Sequence, residues 1–389
     1  MRISFFILFL FFLFQGSAIA AKAIVDCQRT KLMVKQIKLP SVNISVGNDL
    51  PNGSVIYSGL ITNENDSINS SSPGTHIISC SSRNTSVNPS TGVIERFSFL
   101  NTTSVNNIYP TNRPGIGVRF KFPSDTPLNG GLILSGNKAI SSRQKFPPSP
   151  CHLTGNQNRC YFNEGLTYRF DLIKTGVITA GAINGASFPT IIKRMEMNNI
   201  TGQINGFPMR VGEVTFYGSM NITVPTCTVK NVFVDFQKIS IHEISKNNNS
   251  KWFDSSITLT NCPVFYGYSG NSINKWSYNS AGTISSSSST NNNMISYKIT
   301  PVSSIYDNQN GIINIDNITN KAKGIGVQIS KGNASNNSIL NFTNSYSISA
   351  PKNGQSTIRI PLVSRVVKLN DNLASGLINA QVVFTINYQ

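Results

Sequence analysis

Side-chain chemistry at neutral pH draws mostly on histidines, thiols and paired carboxylates at workable spacing. This chain offers little of it. Its three histidines are scattered: His76 in a β-like run, His152 directly after a cysteine, and His242 in "SIHEIS". A nucleophile elbow needs Gly-x-Ser-x-Gly, and "GYSG" at Gly267 to Gly270 has the wrong spacing. "PGIGVR" has too few glycines for a dinucleotide fingerprint and no helical pattern behind it. The carboxylates are dispersed, so no acid and base pair stands out. Cys27, Cys80, Cys151, Cys160, Cys227 and Cys262 include no CxxC pair and no histidine cluster, which argues against a metal site. The inventory assigns no catalytic residue, metal ligand or cofactor, and the chain is read as a non-enzyme.

The elements around these residues point to an exported all-β protein. "MRISFFILFLFFLFQGSAIA" combines Arg2, an apolar run from Ile3 to Phe14 and an Ala18-Ile19-Ala20 cleavage site. Residues 1–20 therefore read as a secretory signal peptide, the apolar run falling short of the ~20 residues a spanning helix needs. Only 13% of residues are charged, and the net charge is +17. After residue 20 the basic excess is spread, with 19 Lys/Arg against 10 Asp/Glu up to residue 222 and 13 against 6 beyond it. That spread lacks the concentrated basic face of a nucleic-acid binder.

Six cysteines in an exported chain imply three disulfides among 15 possible connectivities. A division near residue 222 leaves three, of which Cys27–Cys80, Cys151–Cys160 and Cys227–Cys262 keep every loop local. "TYRFDLIK" sets Tyr168, Phe170 and Leu172 opposite Arg169, Asp171 and Ile173, and "TVKNVFVDF" sets Val232, Val234 and Phe236 on one face. "STIRIPLVSRVVKL" is equally strand-like, turn clusters such as "PKNGQS" separate the runs, and only "IIKRMEMNNI" admits a helical turn or two. The reading is two β-sandwich domains, Ig-like or jelly-roll-like, over 21–222 and 223–389. Pro225 in "GSMNITVPTC" marks the boundary, and "SSSSSTNNN" (Ser285 to Asn293) is expected as an exposed loop.

The last fourteen residues, "GLINAQVVFTINYQ", carry the sharpest pattern. Ile378, Ala380, Val382, Phe384, Ile386 and Tyr388 alternate with polar positions, Val383 excepted, as in a half-buried strand. Gly376 stands fourteenth from the end and Tyr388 is penultimate. A cysteine pair 35 residues apart and "AKGIGVQI" lie upstream. Together these resemble the pilin domain of chaperone–usher fimbrial subunits over about residues 225–389.

That resemblance implies an incomplete Ig-like sandwich lacking its seventh strand, with a groove bordered by Gly376, Ile378, Ala380, Val382, Phe384, Ile386, Tyr388 and Gln389. It implies a periplasmic chaperone that lends a strand and holds the terminal carboxylate, an outer-membrane usher, and an adjacent subunit that donates the replacing strand. The short stretch "AKAIVD" before Cys27 would not serve as a donor, so the resemblance points to a two-domain tip adhesin at the end of a cell-surface fimbria.

"IYPTNRPGIGVRF" and "FDLIKTGVITAG" resemble motifs in receptor-binding domains of fimbrial tip adhesins, particularly the type 3 fimbrial group, although glycines there also suit a scaffold. Candidate contacts to a host glycan or matrix protein are Tyr109, Asn112, Arg113, Arg143, Lys145, Asn156, Arg159, Tyr161 and Asn163. The other reading is a minor fimbrial subunit with no receptor of its own.

Overall fold

A computed structural model describes residues 24–63, 78–82, 93–100, 102–122, 132–133, 139–141, 159–162, 168–197, 203–270, 274–278, 284–287 and 290–389. Among the described residues the regular elements are almost all strands.

In the N-terminal half, Tyr168–Lys174 runs between Val55–Asn63 and Ile116–Phe122 in one antiparallel group. Facing it is a five-stranded sheet in which Thr190–Met197 lies between Val93–Leu100 and Met209–Tyr217, and Met33–Lys38 closes one edge in parallel. Alternation along each strand sends one set of side chains between the sheets. Phe97, Phe120, Phe170 and Phe216 fill that space, with Phe188 from the loop before Thr190. The rings of Phe120 and Phe216 lie 5.4 Å apart and those of Phe170 and Phe188 5.7 Å apart.

Thr190–Met197 is the segment whose sequence admits helical turns. It is instead a central strand, because Ile191 and Ile192 are both buried there, each on its own face. β-Branched side chains suit that doubly packed position.

The C-terminal half is a second sandwich. Val382–Tyr388 pairs antiparallel with Met294–Pro301, which pairs in turn with Tyr346–Ser349. Across the core, Ile325–Gly332 pairs with Leu362–Lys368 and Ile312–Asn314. Cys227 and Cys262 are disulfide-bonded, stapling the start of this half to the end of Ile257–Thr260. A short helix, Ile241–Asn247, carries His242, and the Ser240 side chain accepts the His242 N–H at its start.

Several contacts tie the halves together. Asn274–Tyr278, from the C-terminal half, runs parallel to Val55–Asn63 and extends the N-terminal sheet, with Ile284–Ser287 beyond it as the hairpin partner. Part of the serine tract expected as a loop is therefore strand, since an open edge offers unpaired backbone groups. Asn293, at the end of the same tract, is buried, and its amide donates to Ser45 O at 2.9 Å and to Gln389 O at 3.0 Å. Ser45 Oγ reaches the other way, accepting from Tyr266 N and donating to Val264 O.

Candidate functional site

The terminal segment is held in two stages. From Ala374 to Gln381 it is bonded to the loops of 303–323: Leu377 N donates to Asn320 O, Ala322 N to Leu377 O and Asp316 N to Asn379 O. A Cβ on Gly376 would stand 2.4 Å from Ala322 N and from Lys321 C, so this close approach of two backbones admits only glycine. The regular strand then begins at Val382, later than the alternation alone suggests.

Along this strand one face is unfinished. Ile378, Ala380, Val382, Phe384, Ile386 and Tyr388 all pack against the C-terminal core, yet every one stays only half-buried. Their neighbours across the pair, Ile295 and Ile299, are 0% and 2% exposed. The terminal strand is also the edge of its three-stranded sheet, with one ladder unoccupied among the described residues.

The opposite lip is residues 230–240. The sequence pattern predicts a strand there, but only Thr228–Val229 pairs, and among the described residues no backbone ladder takes up 230–240. Val232 and Phe233 point outward, Phe233 at 91% exposure, while Phe236 and Ile239 pack on the edge of the core. Between this lip and the 373–378 stretch lies a cavity of about 590 Å³ floored by Ile244, Ile325 and Val366. An apolar trough flanked by a lip outside any ladder and continued by an edge strand is a template for an added strand.

The far end of the strand is anchored by side chains that no period-two pattern reveals. Gln389 exchanges both backbone bonds with Met294. Asp49, from the N-terminal half, accepts Tyr388 N–H at 2.9 Å, and Gly47 lies so close that a Cβ there would overlap the Tyr388 carbonyl. The Tyr388 phenol accepts Cys227 N–H at 3.2 Å, its ring stacks on Phe265, and burial raises its pKa above the ordinary value. Tyr388→Phe removes that acceptor and leaves a partly buried amide unpaired. The expected cost is about 1–2 kcal/mol, read as a lowered urea midpoint for the full chain.

In the N-terminal half the two motifs meet each other. Thr175 N donates to Gly115 O at 2.8 Å, and Gly115, at φ +78°, packs against the Val177 carbonyl where any Cβ would collide. Lys174 Nζ donates to Asn52 Oδ1 and Gly176 O. Both stretches thus build scaffold.

Among the receptor candidates, Tyr109 is a correction. Its side chain is 3% exposed and packs 4.5 Å from Phe99, in the core rather than on a binding face. Asn112 and Arg113 both donate to Ala182 O, and Asn112 Oδ1 accepts from Asn184 N and Ser187 Oγ. Arg159 and Tyr161 lie on Arg159–Phe162, paired with Ile78–Ser82. Arg143, Lys145, Asn156 and Asn163 lie outside the described residues, as do Cys151 and the 1–20 segment. Cys27 is disulfide-bonded and stands across from Cys80 in an antiparallel pair, with Cys160 opposite Cys80 on its other side.

The outer face of Tyr168–Lys174 holds a charge cluster. Asp171 is fully buried and pairs with Arg119, Lys121 and Arg169 at 3.1, 3.0 and 3.1 Å, and Ser58 Oγ donates to it at 2.7 Å. Burial works to raise the Asp171 pKa, but the Ser58 bond and the charges of Arg169 and Lys121 outweigh it and hold the carboxyl below its ordinary value.

Residues 214–389 match the model of the family described as Fimbrial protein. A comparison with curated proteins finds no match. Among solved structures, the CupB6 tip adhesin from Pseudomonas aeruginosa is 12% identical, over 93% of this chain and 93% of that one, at a TM-score of 0.33. The receptor-binding domain of the plasmid-born adhesin MrkD1P of Klebsiella pneumoniae is 16% identical, over 53% of this chain and 99% of that one, at 0.28. The P pilus rod subunit PapA is 16% identical, over 42% and 99%, at 0.28. The family match spans the C-terminal half and the last strands before it.

Proposed function

We propose that this chain is a fimbrial tip adhesin: its C-terminal pilin domain accepts a strand to join the fimbria, and its N-terminal domain attaches to a host surface. The observation that carries the first half is the six-residue apolar stripe that packs on the core yet stays half-buried beside an unpaired lip. An added strand would supply backbone bonds to the free edge, and its alternate side chains would fill the trough. The implied partners are a periplasmic chaperone, an outer-membrane usher and the neighbouring subunit. The implied place is the end of a surface fimbria, reached by export through the periplasm.

A synthetic donor-strand peptide of alternating apolar and polar residues tests this. Mixed with the purified full chain, it is expected to bind stoichiometrically, raise Tm and suppress aggregation. A chain that is monomeric and stable without chaperone or peptide, and indifferent to the peptide, would sink the incomplete-sandwich reading. For the second half, binding of the full chain to immobilised glycans and to matrix proteins separates a lectin from a protein binder. Binding to neither leaves the minor-subunit reading.

A further inference from the structure

The N-terminal half has a second hollow, away from the groove, of about 340 Å³. That volume lies at the small end of the ~300–1,000 Å³ range for small-molecule sites. Its apolar surfaces come from Leu100, Pro110 and Phe188, and its polar ones include Thr102, Asn112 and Thr190. In a chain of net charge +17, no charged side chain among the described residues lines it. Apolar patches interleaved with hydroxyl and amide groups, without charge, match one kind of ligand well: a neutral sugar residue, whose C–H faces and hydroxyl rim have the same alternation.

The hollow is preformed. Phe188 is fixed by contacts with the rings of Phe120, Phe170 and Phe216. Asn112 spends one amide hydrogen on Ala182 O, and its carbonyl is claimed by Asn184 N and Ser187 Oγ. The second amide hydrogen is left as a donor in a locked orientation, since an amide carries two. Thr190 opens its strand opposite Leu100, so it is held by a ladder and not by a loose loop. Groups held in place before binding lose little freedom on binding.

We propose that this hollow binds a neutral hexose or N-acetylhexosamine, an inference that rests on the adhesin reading and gives it a site and a ligand class. Saturation-transfer NMR on the full chain tests it with methyl glycosides of glucose, galactose, mannose, N-acetylglucosamine and N-acetylgalactosamine. N-Acetylneuraminic acid and a proline-rich peptide serve as contrasting probes. At least one neutral glycoside is expected to receive transfer and the acid sugar none. Thr190→Val should weaken that binding about tenfold, the loss of one hydrogen bond. Ala186→Trp, at an exposed position on the rim, should block it while leaving the circular-dichroism spectrum and Tm unchanged.

The proposal is overturned if no neutral glycoside binds, if the acid sugar or the peptide binds at the hollow instead, or if Ala186→Trp binds as the unaltered chain does. Should Ala186→Trp keep full attachment to a glycan or matrix surface, the hollow is ruled out and the adhesin reading survives. Attachment absent in the unaltered chain removes both.

Discussion

Asp171→Asn is expected to destabilise the N-terminal half by about 3–5 kcal/mol, the usual cost of removing one member of a buried ionic group. The wild-type carboxylate is the shared partner of three cations that are themselves mostly buried. An asparagine oxygen can still accept from Ser58, but Arg119, Lys121 and Arg169 lose the negative charge they share. Denaturant unfolding of the full chain should show a lowered midpoint in the transition that reports this half.

The same carboxyl sets an acid limit. Its folded pKa lies below the ordinary value, so its contribution is present above the unfolded carboxylate pKa of about 3.9 and is lost as pH falls through the folded one. Asp171→Asn should remove this part of the acid slope, and a pH series of unfolding midpoints run on both chains reads it directly. An unchanged slope would show that Asp171 is not the group responsible.

Gly376→Ala is the second substitution with a large expected effect. The new methyl meets one stretch of backbone, at Ala322 N, Lys321 C and Asn320 O, none of which can rotate away as a side chain would. Overpacking of this kind costs about 1–3 kcal/mol. The cost should appear as loss of the 374–381 docking, so the apolar trough loses one wall. Amide exchange at Leu377 and Ala322 should rise, and donor-peptide binding should weaken. Gly176→Ala is a useful contrast, because that glycine is not at positive φ and only the Gly115 Cα approaches within 4 Å.

How far the sequence reaches differs between the halves for a physical reason. The terminal strand is a period-two object, so its inward face is readable from Ile378 to Tyr388 without coordinates. Its anchors are not readable. Asp49, Ser45 and Asn293 are polar and remote in sequence, and only the fold places them around Tyr388 and Gln389. The 230–240 lip defeats the pattern for a related reason. Alternation reports which face wants burial, whereas pairing needs a neighbour, and here the neighbour is absent from the described chain. In the N-terminal half, alternation assigns Asp171 to the correct face of its strand, but nothing in "TYRFDLIK" reveals that the face is covered. Tyr109 misleads because a tyrosine beside a turn looks exposed until Phe99 and Phe120 are seen beside its ring.

The parallel strand Asn274–Tyr278 also bears on how the protein would carry tension. It leaves the C-terminal half near Ser269, whose N–H is bonded to Ile56 O at the near end of its neighbour, and runs away from that half along Val55–Asn63. A pull separating the two halves would act along both strands, so the five residue pairs from Asn274↔Gly59 to Tyr278↔Asn63 would slide as a set instead of unzipping in turn. A molecule tethered at one end and attached at the other would thus meet load in shear, its most resistant direction.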